Sequence, residues 1–389
     1  MDVCAVIAEY NPFHLGHVKH LSYIKKVLGA KKIVVVMSGN FTQRGEPAVL
    51  DKFTRARHAI LSGADMVVEL PTVFATANAE IFAKGAIKVI ESLGICDGIC
   101  FGVESGTKEE YIKLATALND ESKEFKKVLK EKLDSGISLA KAKFLAVKQT
   151  GTEFSESLVS SPNNILGIEY VRAMLSVGSK MEIYPMIRTG NHNDKTLKKG
   201  ITSASSIREI LKTGKIKKLK KNLPDFTYRD LQEYPFVFDK LIMSAVALTP
   251  HEEMEKILDC TEGLENRIKA LAKDNPTLSS LVQKVATKRY TETRINRILI
   301  STLLGIKENL VKDSLKDDLY IKVLAVNGQD KDLLSSVCEK ASVPVLTRKS
   351  DFISLKKTAE KCFKIDALAV DIYNIATEKR INENHTLFV

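Results

Sequence analysis

An apolar run, Val3 to Ala8, passes directly into the polar stretch Glu9-Tyr10-Asn11-Pro12-Phe13-His14-Leu15-Gly16-His17, and this junction constrains the fold more than any other part of the chain. The run reads as a strand buried on both faces, because no polar residue alternates within it. Pro12 suits a turn or a first helical turn, and apolar residues at helical spacing from Val18 to Leu28 predict a helix. Strand, short loop and helix together make the opening of a parallel β-α-β unit.

His14 and His17 then lie where a strand meets a helix N-terminus. Free backbone N–H groups and the positive end of the helix dipole favour a polyphosphate there. Gly16 lets a nucleotide approach the backbone with no Cβ in the way. Two imidazoles three residues apart can donate hydrogen bonds to phosphate oxygens whose charge grows when an α-phosphate is attacked. Taken without its context, the pattern also fits an ordinary polar loop.

The same alternation continues. Lys32 to Met37 reads as a strand, Arg55 to Ser62 as a helix, Met66 to Leu70 as a strand, Ala79 to Leu93 as a helix and Gly98 to Phe101 as a strand. Short links between such elements predict an α/β fold with a doubly wound parallel sheet, Rossmann-like, whose ligands bind at the carboxyl ends of the strands. His14, Ser38-Gly39-Asn40, Pro71 and Gly102-Val103-Glu104 all fall at such ends. A charged helical insertion is expected over about 107–151, with amphipathic spacing at Tyr111 to Leu118 and Phe125 to Leu133. The pattern resumes with a helix from Asn164 to Ser176, a strand from Glu182 to Ile187 and a helix from Ile207 to Lys212. Two regions are expected: a nucleotide-binding catalytic domain over 1–221, and a mainly helical RNA-binding region over 222–389. The second should end in a small α/β unit, with strands at Leu319 to Val326 and Val343 to Thr347 and helix within Leu355 to Thr377.

Composition fits a cytoplasmic enzyme that meets a polyanion. Lysine plus arginine is 59 against 48 for aspartate plus glutamate, a net charge of +11. No apolar run approaches the roughly 20 residues of a membrane span, and Met1-Asp2 leads straight into a strand, so a soluble, unprocessed chain with no membrane partner is expected. The six cysteines lack paired C-x-x-C spacing, which points to buried thiols in a reducing compartment and to no metal site.

Other segments carry candidate chemistry. Ser203-Ala204-Ser205-Ser206-Ile207-Arg208 precedes a helix, where one hydroxyl suffices as a cap; three serines and an arginine can also hold the β and γ phosphates. The polar, glycine-bounded loop Gly39 to Glu46, with Asn40, Gln43 and Arg44, reads as a lid or substrate loop. Lys212, Lys215, Lys217, Lys218, Lys220 and Lys221 form a basic run. At helical spacing Tyr290, Arg294 and Arg297 share a face while Ile295, Ile298, Leu299 and Thr302 face a core. That face suits either surface ion pairs or a stacked base with its phosphates.

The segment from Val6 to His17 resembles the N-terminus of the bacterial tRNA(Met) cytidine acetate ligases, members of the HIGH-type nucleotidyltransferase superfamily. The likeness extends to Met37-Ser38-Gly39-Asn40-Phe41-Thr42-Gln43-Arg44-Gly45-Glu46-Pro47-Ala48, to Asp51-Lys52 and to Ser161-Pro162-Asn163-Asn164-Ile165-Leu166-Gly167. It implies ATP binding along Ile7, Ala8, Glu9, Tyr10, Asn11, Pro12, Phe13, His14, Leu15, Gly16, His17, Val18, Lys19 and His20. Further implied contacts are Gly102, either Asn163 or Asn164, Arg188, Ser205, Ser206 and Arg208, with His14, His17 and Arg208 acting in catalysis. Ser203 to Arg208 is similar to the I-S-S-T-x-I-R element of that superfamily, and the run from Arg289 to Arg297 to the family's R-Y-T-x-T-R-I-x-R, which implies RNA contacts for Tyr290, Arg294 and Arg297 beside Lys217, Lys218, Lys220 and Lys221. The implied reaction joins acetate to the N4 of the wobble cytidine of elongator tRNA(Met) through acetyl-adenylate, with ATP as co-substrate. Mg2+ is expected on the ATP, with Asp51 and Glu9 as outer partners. A small-molecule nucleotidyltransferase and an inactive RNA-binding protein are the alternatives; oligomeric state is not expressed in the residues.

Overall fold

The computed structural model describes residues 1–120, 122–137, 139–188, 203–231 and 237–389. Among these, eight strands form a single sheet: β1 (Val3–Ala8), β2 (Lys32–Ser38), β3 (Met66–Leu70), β4 (Gly98–Val103), β5 (Glu182–Ile187), β6 (Ile321–Val326), β7 (Val345–Leu346) and β8 (Leu387–Phe388). The order is β5-β4-β1-β2-β3-β6-β7, with β8 paired to β6 off that path. Strands β1 to β5 run parallel, and β6 runs antiparallel to β3. The chain moves outward from β1 through β2 to β3, then returns to lay β4 on the other side of β1. This reversal opens a crevice at the carboxyl ends of β1 and β4, the usual ligand position in such sheets.

Alternation along each strand divides the interior into two cores. Cys4, Val6, Ile33 and Val35 point to one face, where helices α1 (Leu15–Lys26) and α2 (Lys52–Leu61) cover them with Leu21, Ile24, Phe53 and Ala56. Ala5, Val34, Val36 and Val68 point to the other, under α3 (Ala79–Leu93) and α4 (Pro162–Val177), which supply Phe82, Ala86, Ile90, Ile168 and Val171. The short helix α5 (Ala204–Lys212) rests its Ile207 and Leu211 on Leu50, Leu219 and Leu223. The insertion carries helices at Lys108–Asn119, Lys123–Asp134 and Leu139–Gln149, the third of which has too weak an apolar periodicity to be expected. In the second half, α6 (Glu292–Leu304) buries Ile295, Ile298, Leu299 and Thr302 as its spacing predicts, and α7 (Lys357–Thr377) buries Ala369 and Tyr373.

The strands expected to form a closing α/β unit instead extend the main sheet. All five residues of β3 are buried, so its outer edge would leave backbone N–H and C=O groups unpaired in an apolar setting without a neighbour. Strand β6 supplies that neighbour, with a register shift between Val67 and Val68. The sheet therefore runs across residue 221, the expected boundary.

A buried charge network ties this seam. Lys52 Nζ lies 2.6 Å from carboxylate oxygens of both Glu69 on β3 and Glu383 near the C-terminus. Lys322 of β6 pairs with Glu383 at 2.8 Å, and Asp366 of α7 accepts from Thr72 N–H and Tyr320 O–H. Burial alone would lower the Lys52 pKa, yet Glu383 and Glu69 hold it above its ordinary value. Removing one partner of such a network strands the others in the interior. Lys52→Met should cost about 3–5 kcal/mol of unfolding free energy, read as a lower urea midpoint; an unchanged midpoint would show that the network contributes no stability.

Candidate functional site

The β1–β4 crevice is a cleft of about 460 Å³. Its floor is the segment that leaves β1. Of the run implied to bind nucleotide, Ile7, Ala8, Glu9, Tyr10, Asn11, His14, Gly16, His17, Lys19 and His20 line the cleft. Pro12, Phe13, Leu15 and Val18 do not: Phe13 is fully buried beneath it, with Val18 packed on the same core. Helix α1 starts at Leu15, three residues before the expected start at Val18, because His14 is its cap.

That cap determines the chemistry of both imidazoles. Gly16 N–H donates to His14 Nδ1 at 3.0 Å, and His14 N–H donates to His17 Nδ1 at 3.2 Å. An accepting Nδ1 carries no proton, so each neutral ring bears its hydrogen on Nε2. The rings stack with centroids 3.8 Å apart, and Tyr10 packs against His17 at 4.7 Å. Burial, then Arg188 and Arg208, push His14 down to about 3; burial, then His14, Arg188 and His20, hold His17 well below its usual value. Near neutral pH the pair is therefore two uncharged Nε2–H donors at a helix N-terminus. His20 lines the same wall but turns its Nε2 to Cys100 Sγ at 3.3 Å.

The serine-rich segment faces this floor. Ser203 caps α5 by accepting from Ser206 N–H at 3.1 Å, and its hydroxyl meets that of Ser206 at 2.9 Å. Ser203, Ser205 and Arg208 line the cleft, whereas Ser206 is turned inward by the cap and does not. Arg208 Nη1 donates to Asn11 O at 2.8 Å, Nη2 reaches Ser205 Oγ at 3.4 Å, and Nε pairs with Glu46 at 3.3 Å. The guanidinium is thus fixed against the floor by partners on three segments.

On the far side Gly102 is the penultimate residue of β4, and a Cβ there would sit 3.2 Å from the Arg188 side chain, so glycine leaves room for Arg188 against the strand end. Ser161 caps α4 and Pro162 opens it, so neither Asn163 nor Asn164 is the cap. Asn163 lines the cleft and donates to Glu104 at 3.0 Å. Asn164 is fully buried, accepting from Glu104 N–H and donating to Ser105 Oγ and Ser157 O. The geometry thus separates the two: Asn163 faces the cleft and Asn164 braces the loop after β4. Phe82, Phe101, Ile165 and Tyr170 form an apolar wall beside them.

The loop after β2 closes one end. A turn at Phe41 to Pro47 presents Gln43 and Arg44 to the cleft. Asn40 is not at the cleft; it is buried, accepting from Lys52 N–H at 2.9 Å and from Ala48 N–H through its carbonyl. Asp51 likewise serves as the cap of α2, with Thr54 N–H and O–H on its two oxygens, and does not line the cleft. Residue type and spacing give no hint of Arg55, which is fully buried and donates to the carbonyls of Glu9, Ser38, Gly39 and Leu50. It binds the ends of β1 and β2 to each other.

The expected stripe of Tyr290, Arg294 and Arg297 is divided. Tyr290 precedes α6 and hydrogen-bonds Glu262 at 2.8 Å, with the Arg294 guanidinium 5.2 Å from its ring. Arg294 donates to Asp259 O and Thr261 Oγ1. Arg297, one turn on, is nearly buried, pairs with Asp259 at 3.4 Å and lines the cleft together with Thr293. Gly45 makes this approach possible: its φ is +71°, and a Cβ would collide with the backbone of Asn296 and Arg297. Lys217, Lys218, Lys220 and Lys221 are exposed, and Asn222 O just beyond them accepts from Leu15 N–H, so this basic run abuts the start of α1.

Among the described residues no group of three or more His, Cys, Asp or Glu side chains could hold a metal ion, and no helix is long and apolar enough to cross a membrane. Comparison with known proteins matches residues 1–386 to the HIGH Nucleotidyl Transferase family. A tRNA(Met) cytidine acetate ligase of Thermoanaerobacter sp. (strain X514) is 38% identical over 385 residues, covering 97% of this chain and 96% of its own. The protein of that name from Acetivibrio thermocellus is 36% identical, covering 96% and 94%. The crystal structure of Thermotoga maritima TmcAL bound with alpha-thio ATP superposes over the full length of both chains with a TM-score of 0.92 at 29% identity, and the apo form with 0.94 at 30%. By sequence and by fold, the chain belongs to the tRNA(Met) cytidine acetate ligase family of HIGH nucleotidyl transferases.

Proposed function

We propose that the protein is an ATP-dependent ligase that acetylates a tRNA cytidine in two steps. Acetate attacks the α-phosphate of ATP, giving acetyl-adenylate and pyrophosphate; N4 of the wobble cytidine of elongator tRNA(Met) then takes the acetyl group and AMP leaves. The observation that carries this reading is the pair of neutral imidazoles with Nε2–H free beside Arg208. In-line attack on phosphorus needs positioned donors and charge neutralisation rather than a protein nucleophile, and that is what the floor offers. The named relatives and the neighbour holding alpha-thio ATP support the same nucleotide and the same RNA.

In this reading His14 and His17 stabilise the α-phosphate as it is attacked, Ser205 and Arg208 hold the departing pyrophosphate, and Gly102, Asn163 and Arg188 take the adenosine. Cytoplasmic tRNA approaches along Lys217, Lys218, Lys220 and Lys221, beside the floor of the cleft. Mg2+ would accompany ATP on its own phosphate oxygens and neutralise part of their charge.

ATP–pyrophosphate exchange tests the first step directly. Exchange should require acetate and proceed without tRNA; exchange that ignores acetate would overturn the reading. His17→Ala and Arg208→Ala should each lower it on the order of 100-fold, since each removes charge stabilisation particular to the transition state. Arg297 and Arg294 should behave differently from each other. Arg297→Ala should raise the KM for ATP roughly tenfold, the loss of one charged contact, while Arg294→Ala leaves exchange near wild type. Equal exchange kinetics in both would place Arg297 outside the nucleotide site.

A further inference from the structure

The cleft is lined by cations, Lys19, Arg44, Arg188, Arg208 and Arg297, and among the described lining residues it holds one carboxylate, Glu9. A carboxylate in a cleft meant for a triphosphate opposes binding by simple Coulomb repulsion. The second half of the reaction, in contrast, needs what a carboxylate provides. When N4 attacks the acyl carbonyl, the new C–N bond leaves a positively charged nitrogen, which must shed a proton before the product is stable.

The other side chains of the cleft are poorly suited to accept that proton. His14 and His17 have Nδ1 committed to backbone N–H groups and hydrogen on Nε2. His20 turns Nε2 to Cys100. Lys19 and the arginines are cations with no lone pair to offer, and Tyr10 and Tyr170 are pushed above the usual phenol range by burial. Glu9 follows β1 directly. The Gln43 N–H donates to Oε1 at 2.7 Å, which fixes the side chain, and no described donor reaches Oε2. The carboxylate sits beside the turn that carries Gln43 and Arg44.

Resting on the two-step reading above, we propose that Glu9 is the general base of acetyl transfer, taking the N4 proton on Oε2. The nitrogen lone pair forms the C–N bond, the C–O bond to phosphate breaks, AMP leaves with that bonding pair, and the proton passes through Glu9 to water. Burial raises the Glu9 pKa, opposed by the Gln43 N–H and the charges of Arg208 and Arg44 and aided by Glu46. Arg55 beneath it and Tyr170 across the cleft complete its titratable surroundings. A raised carboxylate is a stronger proton acceptor than an ordinary one.

The test is single-turnover transfer from enzyme-bound acetyl-adenylate to tRNA(Met), measured from about pH 5 to 9, beside acetate-dependent ATP–pyrophosphate exchange, in wild type, Glu9→Gln and Glu9→Asp. Gln can still accept the Gln43 N–H, so it removes the base while keeping the anchor. Transfer should fall on the order of 100-fold in Glu9→Gln while exchange falls less than about tenfold. Wild-type transfer should rise with pH through a limb above the ordinary carboxylate range; the limb should vanish in Glu9→Gln and persist, shifted, in Glu9→Asp. Equal losses in both steps, or a limb that survives in Glu9→Gln, would overturn the assignment and make Glu9 a group that holds ATP or its metal. Failure of wild-type exchange to depend on acetate would instead overturn the two-step reading, before any variant is compared.

Discussion

The reciprocal cap at the start of α1 is the interaction on which the site depends. A histidine whose Nδ1 accepts a backbone N–H cannot rotate, change tautomer or readily gain a proton without breaking the first turn of its own helix. His14 and His17 each do this, one from Gly16 and the other from His14. The protein thereby presents two neutral donors of fixed direction using only the backbone and two rings. Neutral donors add no fixed positive charge that would hold ground-state ATP, yet their hydrogen bonds strengthen as negative charge grows on the phosphate.

What keeps that turn in place lies beneath and behind it. Arg55 joins the carbonyls after β1 to those after β2, an arrangement only a buried guanidinium with several fixed donors can make. Behind it, Lys52 on the same helix anchors Glu69 and the C-terminal Glu383. Helix α2 therefore carries one cation toward the active-site loops and another toward the seam with β6. The last part of the chain thus braces the helix behind the cleft, although its strands lie at the far edge of the sheet.

Strands β1 to β5 were legible because continuous apolar runs between short links admit few other arrangements, and Pro185 in β5 is compatible because β5 is an edge. Strand β8, two residues long, is too short to carry a pattern, while β7 is the two-residue centre of the run expected from Val343 to Thr347. The floor residues were legible for the same reason as β1: their chemistry sits next to a strong topological signal. Arg55 was not, since its partners are backbone carbonyls, which leave no trace in residue type. Asn40 and Ser206 look like polar loop residues, and only the fold shows that one supports α2 and the other a cap. The stripe at 290–297 crosses the start of its helix: α6 begins at Glu292, so Tyr290 lies before it, packed on Arg294, while Arg297 turns into the cleft.

Arg297 shows what this means for the division of labour along the chain. Its helix belongs to the basic second half, yet Gly45 lets the turn of the first half lie directly on the α6 backbone, and Asp259 directs the Arg297 guanidinium inward. Asp259 is itself held by Asn78, the cap of α3, at 3.2 Å. An arginine fixed by a carboxylate from one region and aimed into a cleft built by another loses little freedom when a phosphate arrives, so the ligand's charge enters an assembled site and does not have to assemble one. Arg208 follows the same rule with Glu46 and Asn11. Preorganisation by carboxylates and carbonyls drawn from both halves of the chain is thus the common principle of the cleft, and it explains how several cations can be held around one site.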